Sequence, residues 1–163
     1  MARISKVLIA NRGEIAVRVI RAARDSGIAT VAVYADQDRD ARHVKLADEA
    51  YALDGATSAE TYLVIEKLLS VARRSGANAV HPGYGFLAEN AEFAAVCRDC
   101  HIEFIGPSPE AMALLGDKIS CRAMAKKAGT PIFPGSNKAI EDEEEAAEYI
   151  KSLFIGDLDN LSS

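Results

Sequence analysis

The chain has 163 residues, 49% of them apolar, and a formal charge of −5. That length holds one domain of about 100–150 residues plus a remainder, and the acidic balance excludes the basic surface a nucleic-acid binder needs. No apolar run approaches the roughly 20 residues of a bilayer span, and Val7-Leu8-Ile9-Ala10 is too short for a signal-peptide core, so a cytoplasmic protein is expected.

Strand and helix patterns alternate along the chain. Lys6–Ala10 is a continuous apolar run, as in a strand buried on both faces. Ile15, Val19 and Ala22, with Ala16, Ile20 and Ala23, form the stripe of a helix that stops at Gly27. Thr30–Ala35 is a β-branched second strand, and Glu49–Leu53 a weaker third. Tyr62–Ser75 reads as a helix ended by Gly76, Ala77–Val80 as a fourth strand, Ala91–Cys100 as a helix, and Ile102–Ile105 as a fifth strand. Such alternation predicts βαβ units, a parallel sheet and right-handed crossovers. The expected order puts the first strand centrally, with a switch point between the first and fourth strands. Beyond Gly106, Pro109–Leu115 and Asp117–Ala128 read as short helices and Gly129–Ser136 as a turn-rich connector. Glu141–Leu153 reads as a helix with acids at its start, which suit the dipole, and 154–163 as an unstructured tail.

The most informative run is His81-Pro82-Gly83-Tyr84-Gly85-Phe86-Leu87-Ala88-Glu89-Asn90, between the fourth strand and its helix. Two glycines bracket Tyr84 there, allowing backbone to approach a ligand closely. Sites in open α/β sheets gather at such carboxyl ends, and the expected topology sets Asn11-Arg12-Gly13-Glu14 beside this run. That first turn has one glycine, with Arg12 and Glu14 where pyrophosphate would approach, which argues against a dinucleotide fold. Asp36 reads as a loop residue or helix cap. His81 is read as a structural residue holding the turn rather than a proton carrier, because no cysteine or acid pairs with it at short range. Arg18, Arg21 and Asp25 share a helix face. Arg21 and Asp25 are spaced to pair, and the face is either solvated or a subunit contact. Lys118, in Gly116-Asp117-Lys118, stands at a helix start suited to an anion. Cys97-Arg98-Asp99-Cys100-His101 matches a haem-attachment spacing, but Phe93, Cys97 and Cys100 also fall at the spacing of one buried helix face. We read the cysteines as buried free thiols and expect no metal.

Together the motifs resemble the N-terminal region of biotin carboxylase over about residues 5–153. The resemblance rests on Lys6–Ala16, His43–Ala50, His81–Asn90, Phe104-Ile105-Gly106-Pro107, Gly116-Asp117-Lys118 and Pro134-Gly135-Ser136. It is similar to the α subunits of acetyl- and propionyl-CoA carboxylases, which serve fatty acid biosynthesis among other ends, with pyruvate carboxylase a near neighbour. The resemblance implies an α/β fold: a Rossmann-like pre-ATP-grasp domain over 1–115, then the first helices of an incomplete ATP-grasp domain over 116–153. It implies a reaction in which ATP and Mg²⁺ activate bicarbonate, and biotin on a carrier domain takes the carboxyl group. It places His81, Tyr84 and Glu89 at the biotin and bicarbonate end of the cleft, Lys118 on ATP, and Arg18, Arg21 and Asp25 at a homodimer contact. Asn11 and Gly13 would be structural. The implied partners are the biotin carboxyl carrier domain and the carboxyltransferase.

The family continues into a strand bearing an ATP-binding lysine and a glycine-rich phosphate loop, whereas Phe154–Ser163 does not look like the family. A truncation, a split gene or a frame change would each produce this. The expectation is no catalytic residue within the chain and no turnover by it alone. Two alternatives stay open: an assembly module docking through the Arg18/Arg21 helix, and a nucleotide-binding protein of a related ATP-grasp lineage.

Overall fold

The computed structural model describes residues 3–116, 118–132 and 142–158. The chain divides into two compact units, Met1–Met112 and Ala113–Ser163. In the first, β1 (Lys6–Ile9), β2 (Ala29–Tyr34), β3 (Glu49–Ala52), β4 (Ala79–His81) and β5 (Glu103–Phe104) form one sheet in the order β3-β2-β1-β4-β5. All four pairings are parallel. The expected α/β class and central β1 are what forms. β4 starts later than the apolar run because Ala77 is tied to the preceding helix, its N–H donating to Ala72 O at 3.0 Å.

The crossovers are α1 (Gly13–Asp25), α2 (Arg42–Leu46), α3 (Ile65–Ser75) and α4 (Ala91–Asp99), with α5 (Pro109–Gly116) after β5. Side-chain alternation splits the strands between two cores. Leu8, Val31, Val33 and Val80 pack with Leu68 and Ala72 of α3 and Phe93 and Cys97 of α4. Val7, Ile9 and Ala79 pack with Ala16, Ile20 and Ala23 of α1. Side-chain caps start two of these helices. The Asn90 carboxamide caps α4 by accepting the Phe93 N–H at 2.7 Å, and Ser108 caps α5 through Ala111 N–H at 3.2 Å, with Pro109 in the first helical position.

Three expectations need correction. α3 begins at Ile65, not Tyr62, because 58–64 folds as successive turns, with Thr61 N–H on Ser58 O and Val64 N–H on Thr61 O. That frees Tyr62 to enter the core. α2, and a 3-10 turn at Asp36–Asp38, have no apolar periodicity to announce them. α2 is held by the buried His43, whose Nε2 donates to Val33 O at 3.2 Å.

The third correction concerns the second unit, which contains α6 (Lys118–Lys127) and α7 (Glu143–Leu158). α7 runs past Leu153, so 154–158 are helical rather than irregular. Leu153, Phe154 and Ile155 carry no stop signal, and Gly156 alone costs only about 1 kcal/mol in a helix. Asp142 caps this helix by accepting the Glu144 N–H at 2.9 Å. Residues 133–136 of the connector, 137–141 after it and 159–163 of the tail lie outside the described residues.

Candidate functional site

β1 and β4 are neighbours, with Ile9 beside His81, so the segments leaving their carboxyl ends meet. The Asn11 carboxamide, buried between them, donates to Pro82 O and Tyr84 O, each at 2.8 Å. Its oxygen accepts the Arg12 N–H at 2.9 Å. One side chain thus joins the first turn to the 81–90 turn, and the expected juxtaposition and structural role for Asn11 are observed.

The 81–90 turn folds through left-handed backbone at Gly83 (φ +68°), Gly85 (φ +64°) and Phe86 (φ +44°). At Gly83 a Cβ would also lie 2.7 Å from Asn11 Nδ2 and 2.8 Å from Ile15 Cγ2. The close approach and the sign of φ both require glycine here.

Tyr84 is thereby presented to solvent, 74% exposed, and Glu89 is exposed as well. Half-buried His81 accepts the Gly83 N–H on Nδ1 at 3.0 Å, so its remaining proton sits on Nε2 in the neutral ring. Burial lowers its pKa. The hydrogen bond ties the ring to the turn it opens.

Two concavities flank Tyr84. A groove of about 590 Å³ runs along α1 over the half of the sheet that α1 leaves bare, lined by Ile15, Val19, Arg18, His81 and Ile105 among others. The helical stripe therefore divides: Ala16 and Ile20 enter the core, Ile15 and Ala22 face the groove, and Ala23 and Val19 border both. A second concavity of about 400 Å³ lies on the other side of Tyr84, bounded by Asn11, Arg12 and Phe86. Glu89 lines neither. Arg18, Arg21 and Asp25 are all exposed on α1. The ion pair on this helix joins Arg18 to Glu14 at 3.9 Å, and Arg21 does not pair with Asp25 as their spacing allows. Lys118 opens α6, and its side chain lies outside the described residues.

Sequence reasoning missed the cluster behind the turn. Arg12 Nη2 is 3.0 Å from Asp38 Oδ1. The Tyr62 hydroxyl donates to Asp38 Oδ2 at 2.6 Å and accepts the Ala35 N–H at 3.0 Å. The Tyr62 ring stacks on Phe86 with centroids 5.2 Å apart, and the Arg12 guanidinium carbon lies 6.0 Å from its centre. Burial, followed by the bond to Asp38, raises the phenol's pKa. Arg12 thus turns to Asp38 beside the first turn, where a dinucleotide fold would seat phosphate. Asp36 is exposed; the acid that matters is Asp38, two residues on. The only available signal was the acid-rich run Asp36-Gln37-Asp38.

Cys97 is buried and Cys100 half-buried, and burial pushes the Cys97 thiol up to about 12. Among the described residues no three His, Cys, Asp or Glu side chains converge as a metal site, and no helix is long and apolar enough to cross a membrane.

The family model for the biotin carboxylase N-terminal domain matches residues 3–112. The chain belongs to this family. It is 55% identical over 150 residues to the biotin-dependent acyl-coenzyme A carboxylase alpha3 subunit of Mycobacterium leprae, covering 92% of this chain and 25% of that subunit. Biotin carboxylase 1 of Bacillus subtilis is 53% identical over 150 residues, covering 92% of this chain and 33% of the relative. The biotin carboxylase domain of 2-oxoglutarate carboxylase from Hydrogenobacter thermophilus, solved with MgADP, ADP and bicarbonate, superposes with a TM-score of 0.84. It is 49% identical, and the match covers 93% of this chain and 33% of that one. The chain thus spans a quarter to a third of the length of these biotin carboxylase relatives.

Proposed function

We propose that this chain supplies one wall of a biotin carboxylase cleft, as part of an enzyme that carboxylates biotin with ATP and bicarbonate within an acyl-CoA carboxylase. The observation that carries the proposal is the bond from Asn11 to Tyr84 O in a chain of this family. It locks the 81–90 turn at the carboxyl edge of β1 and β4, the edge at which ligands bind in open parallel sheets. In this reading Tyr84 offers an aromatic surface with a hydroxyl at its tip, and Glu89 a carboxylate at the biotin and bicarbonate end. His81 shapes the turn as a neutral ring and carries no proton in the reaction. Arg18, Arg21 and Asp25 form a homodimer contact, Lys118 approaches ATP, and the carrier domain and carboxyltransferase are partners of the whole enzyme, which works in the cytosol.

When bound, ATP and Mg²⁺ would activate bicarbonate for transfer to biotin. The described residues do not fit that role: Arg12 is paired with Asp38, and no metal-ligating group converges among them. No step involving phosphate or metal is therefore assigned to this chain, which should not turn over alone.

Two measurements test the reading. The purified chain should show no ATP hydrolysis dependent on bicarbonate and free biotin; robust hydrolysis would overturn its assignment as a non-catalytic wall. Mixed with a relative's biotin carboxylase lacking its own matching segment, the chain should restore that hydrolysis, and Tyr84→Ala should abolish the restoration. A stable complex without activity, or activity indifferent to Tyr84, would sink the cleft assignment.

A further inference from the structure

We propose that Asp38 and Tyr62 are positioning residues for the turn that carries Tyr84 and Glu89. Four segments, each leaving the carboxyl end of a different strand, meet at one point: Arg12 after β1, Asp38 after β2, Tyr62 after β3 and Phe86 after β4. The Tyr62 hydroxyl spends its donor on Asp38 Oδ2 at 2.6 Å and accepts the Ala35 N–H at 3.0 Å. The other oxygen of Asp38 takes Arg12 Nη2 at 3.0 Å. With the ring buried and both functions of the hydroxyl engaged, the phenol has a single orientation. Phe86 stacks on it nearly parallel, at 13° between planes.

Phe86 is also the turn's non-glycine residue in left-handed backbone, φ +44°. A residue with a Cβ stays there only when its surroundings over-determine it, and the ring that Phe86 stacks on is Tyr62. Asn11 fixes the first half of the turn through Pro82 O and Tyr84 O. Tyr62 fixes the second half through Phe86, and Glu89 follows three residues later. Release of the phenol lets Phe86 return to ordinary backbone, which moves Tyr84 and Glu89 relative to each other. The turn's role as a cleft wall rests on the function proposed above. Its geometry can be read without any activity, so either can fail without the other.

The test is amide hydrogen exchange by NMR on the whole chain. Gly83 and Ala88 report the turn, since their N–H groups donate to His81 Nδ1 at 3.0 Å and Gly85 O at 2.9 Å. In Tyr62→Phe, which keeps the ring and removes the hydroxyl, Ala88 should exchange at least about tenfold faster, while Gly83, in the half held by Asn11, and the β2 amides at Val31 and Val33 change less. Glu49→Gln breaks the Lys6–Glu49 pair at the opposite edge of the sheet and should leave Gly83 and Ala88 slow. Asp38→Asn keeps an oxygen for the phenol and should disturb Ala88 less than Asp38→Ala, a comparison that stands even if Tyr62→Phe does not fold. Uniform acceleration across β2 and the turn, equal acceleration in Glu49→Gln, or equal effects of the two Asp38 variants would overturn the proposal.

Discussion

The carboxamide of Asn11 donates to the carbonyl of Tyr84 across 2.8 Å, although the two residues are 73 apart in the chain. The same nitrogen serves Pro82 O. Asn11→Ala leaves two carbonyls without their donor, at about 1–3 kcal/mol for each one that stays buried. Asn11→Asp should be worse, because it sets a carboxylate against two carbonyl oxygens. Urea unfolding should rank the stabilities wild type, Asn11→Ala, Asn11→Asp; an aspartate variant as stable as wild type would contradict the bond.

The two glycines of the turn should respond differently to alanine. Both have positive φ, so either substitution costs roughly 1–2 kcal/mol in backbone strain. Only at Gly83 does the new Cβ also strike Asn11 and Ile15; at Gly85 nothing lies within 4 Å. Overpacking adds about 1–3 kcal/mol. Thermal denaturation should therefore place Gly83→Ala clearly below Gly85→Ala, and equal midpoints would refute the close approach.

Stability should fall on acidification below about pH 6.5. Burial lowers the pKa of His43 despite its bond to Val33 O, and its Nδ1 is buried without a hydrogen-bond partner. The folded pKa lies below the unfolded value of 6.5, so the unfolded chain binds more protons between them. The stabilisation is complete above 6.5 and is lost as pH falls toward the folded pKa, at about 1.4 kcal/mol per unit of depression. Denaturant titrations at pH 7.5 and 5.5 should show the loss, and His43→Gln, which keeps a donor for Val33 O, should reduce it.

Thiol reactivity should separate the cysteines. Cys97 is buried with its pKa pushed up to about 12, so iodoacetamide at neutral pH should label Cys100 before Cys97. Peptide mass spectrometry on a time course decides this, with early labelling of Cys97 as the contrary result.

The proposed dimer contact predicts that Arg21→Glu shifts the chain toward monomer in size-exclusion chromatography. Arg21 is exposed and pairs with no acid on α1, so the substitution should leave the melting temperature nearly unchanged. An unchanged elution volume in wild type and variant would count against a dimer through α1.

The parallel sheet was legible because its strands are short apolar runs between helical stripes, and a continuous run such as Val7–Ala10 has few other places to go. The meeting of Asn11 with the 81–90 turn was legible too, since a central first strand forces it. The support behind that turn was not. Asp36 and Asp38 look alike in the sequence, and only the arrival of Tyr62 from another crossover makes Asp38 the partner. Tyr62 itself sits at helical spacing from Ile65 and Leu69, so its departure into the core reads as helix until its hydroxyl finds Asp38. On α1 the two apolar rows are equivalent as a pattern, and the sheet order decides which is buried.

Parallel pairing through a central β1 also dictates when the site appears during synthesis. β1 and α1 leave the ribosome before β4 does, and the carbonyl groups that Asn11 serves belong to residues emerging some seventy positions later. Until β4 docks, Asn11 has only water to bond and the bracketing glycines have no reason to hold their backbone. Such long-range closure is intrinsically slow, so the candidate cleft wall should be among the last parts of this unit to mature.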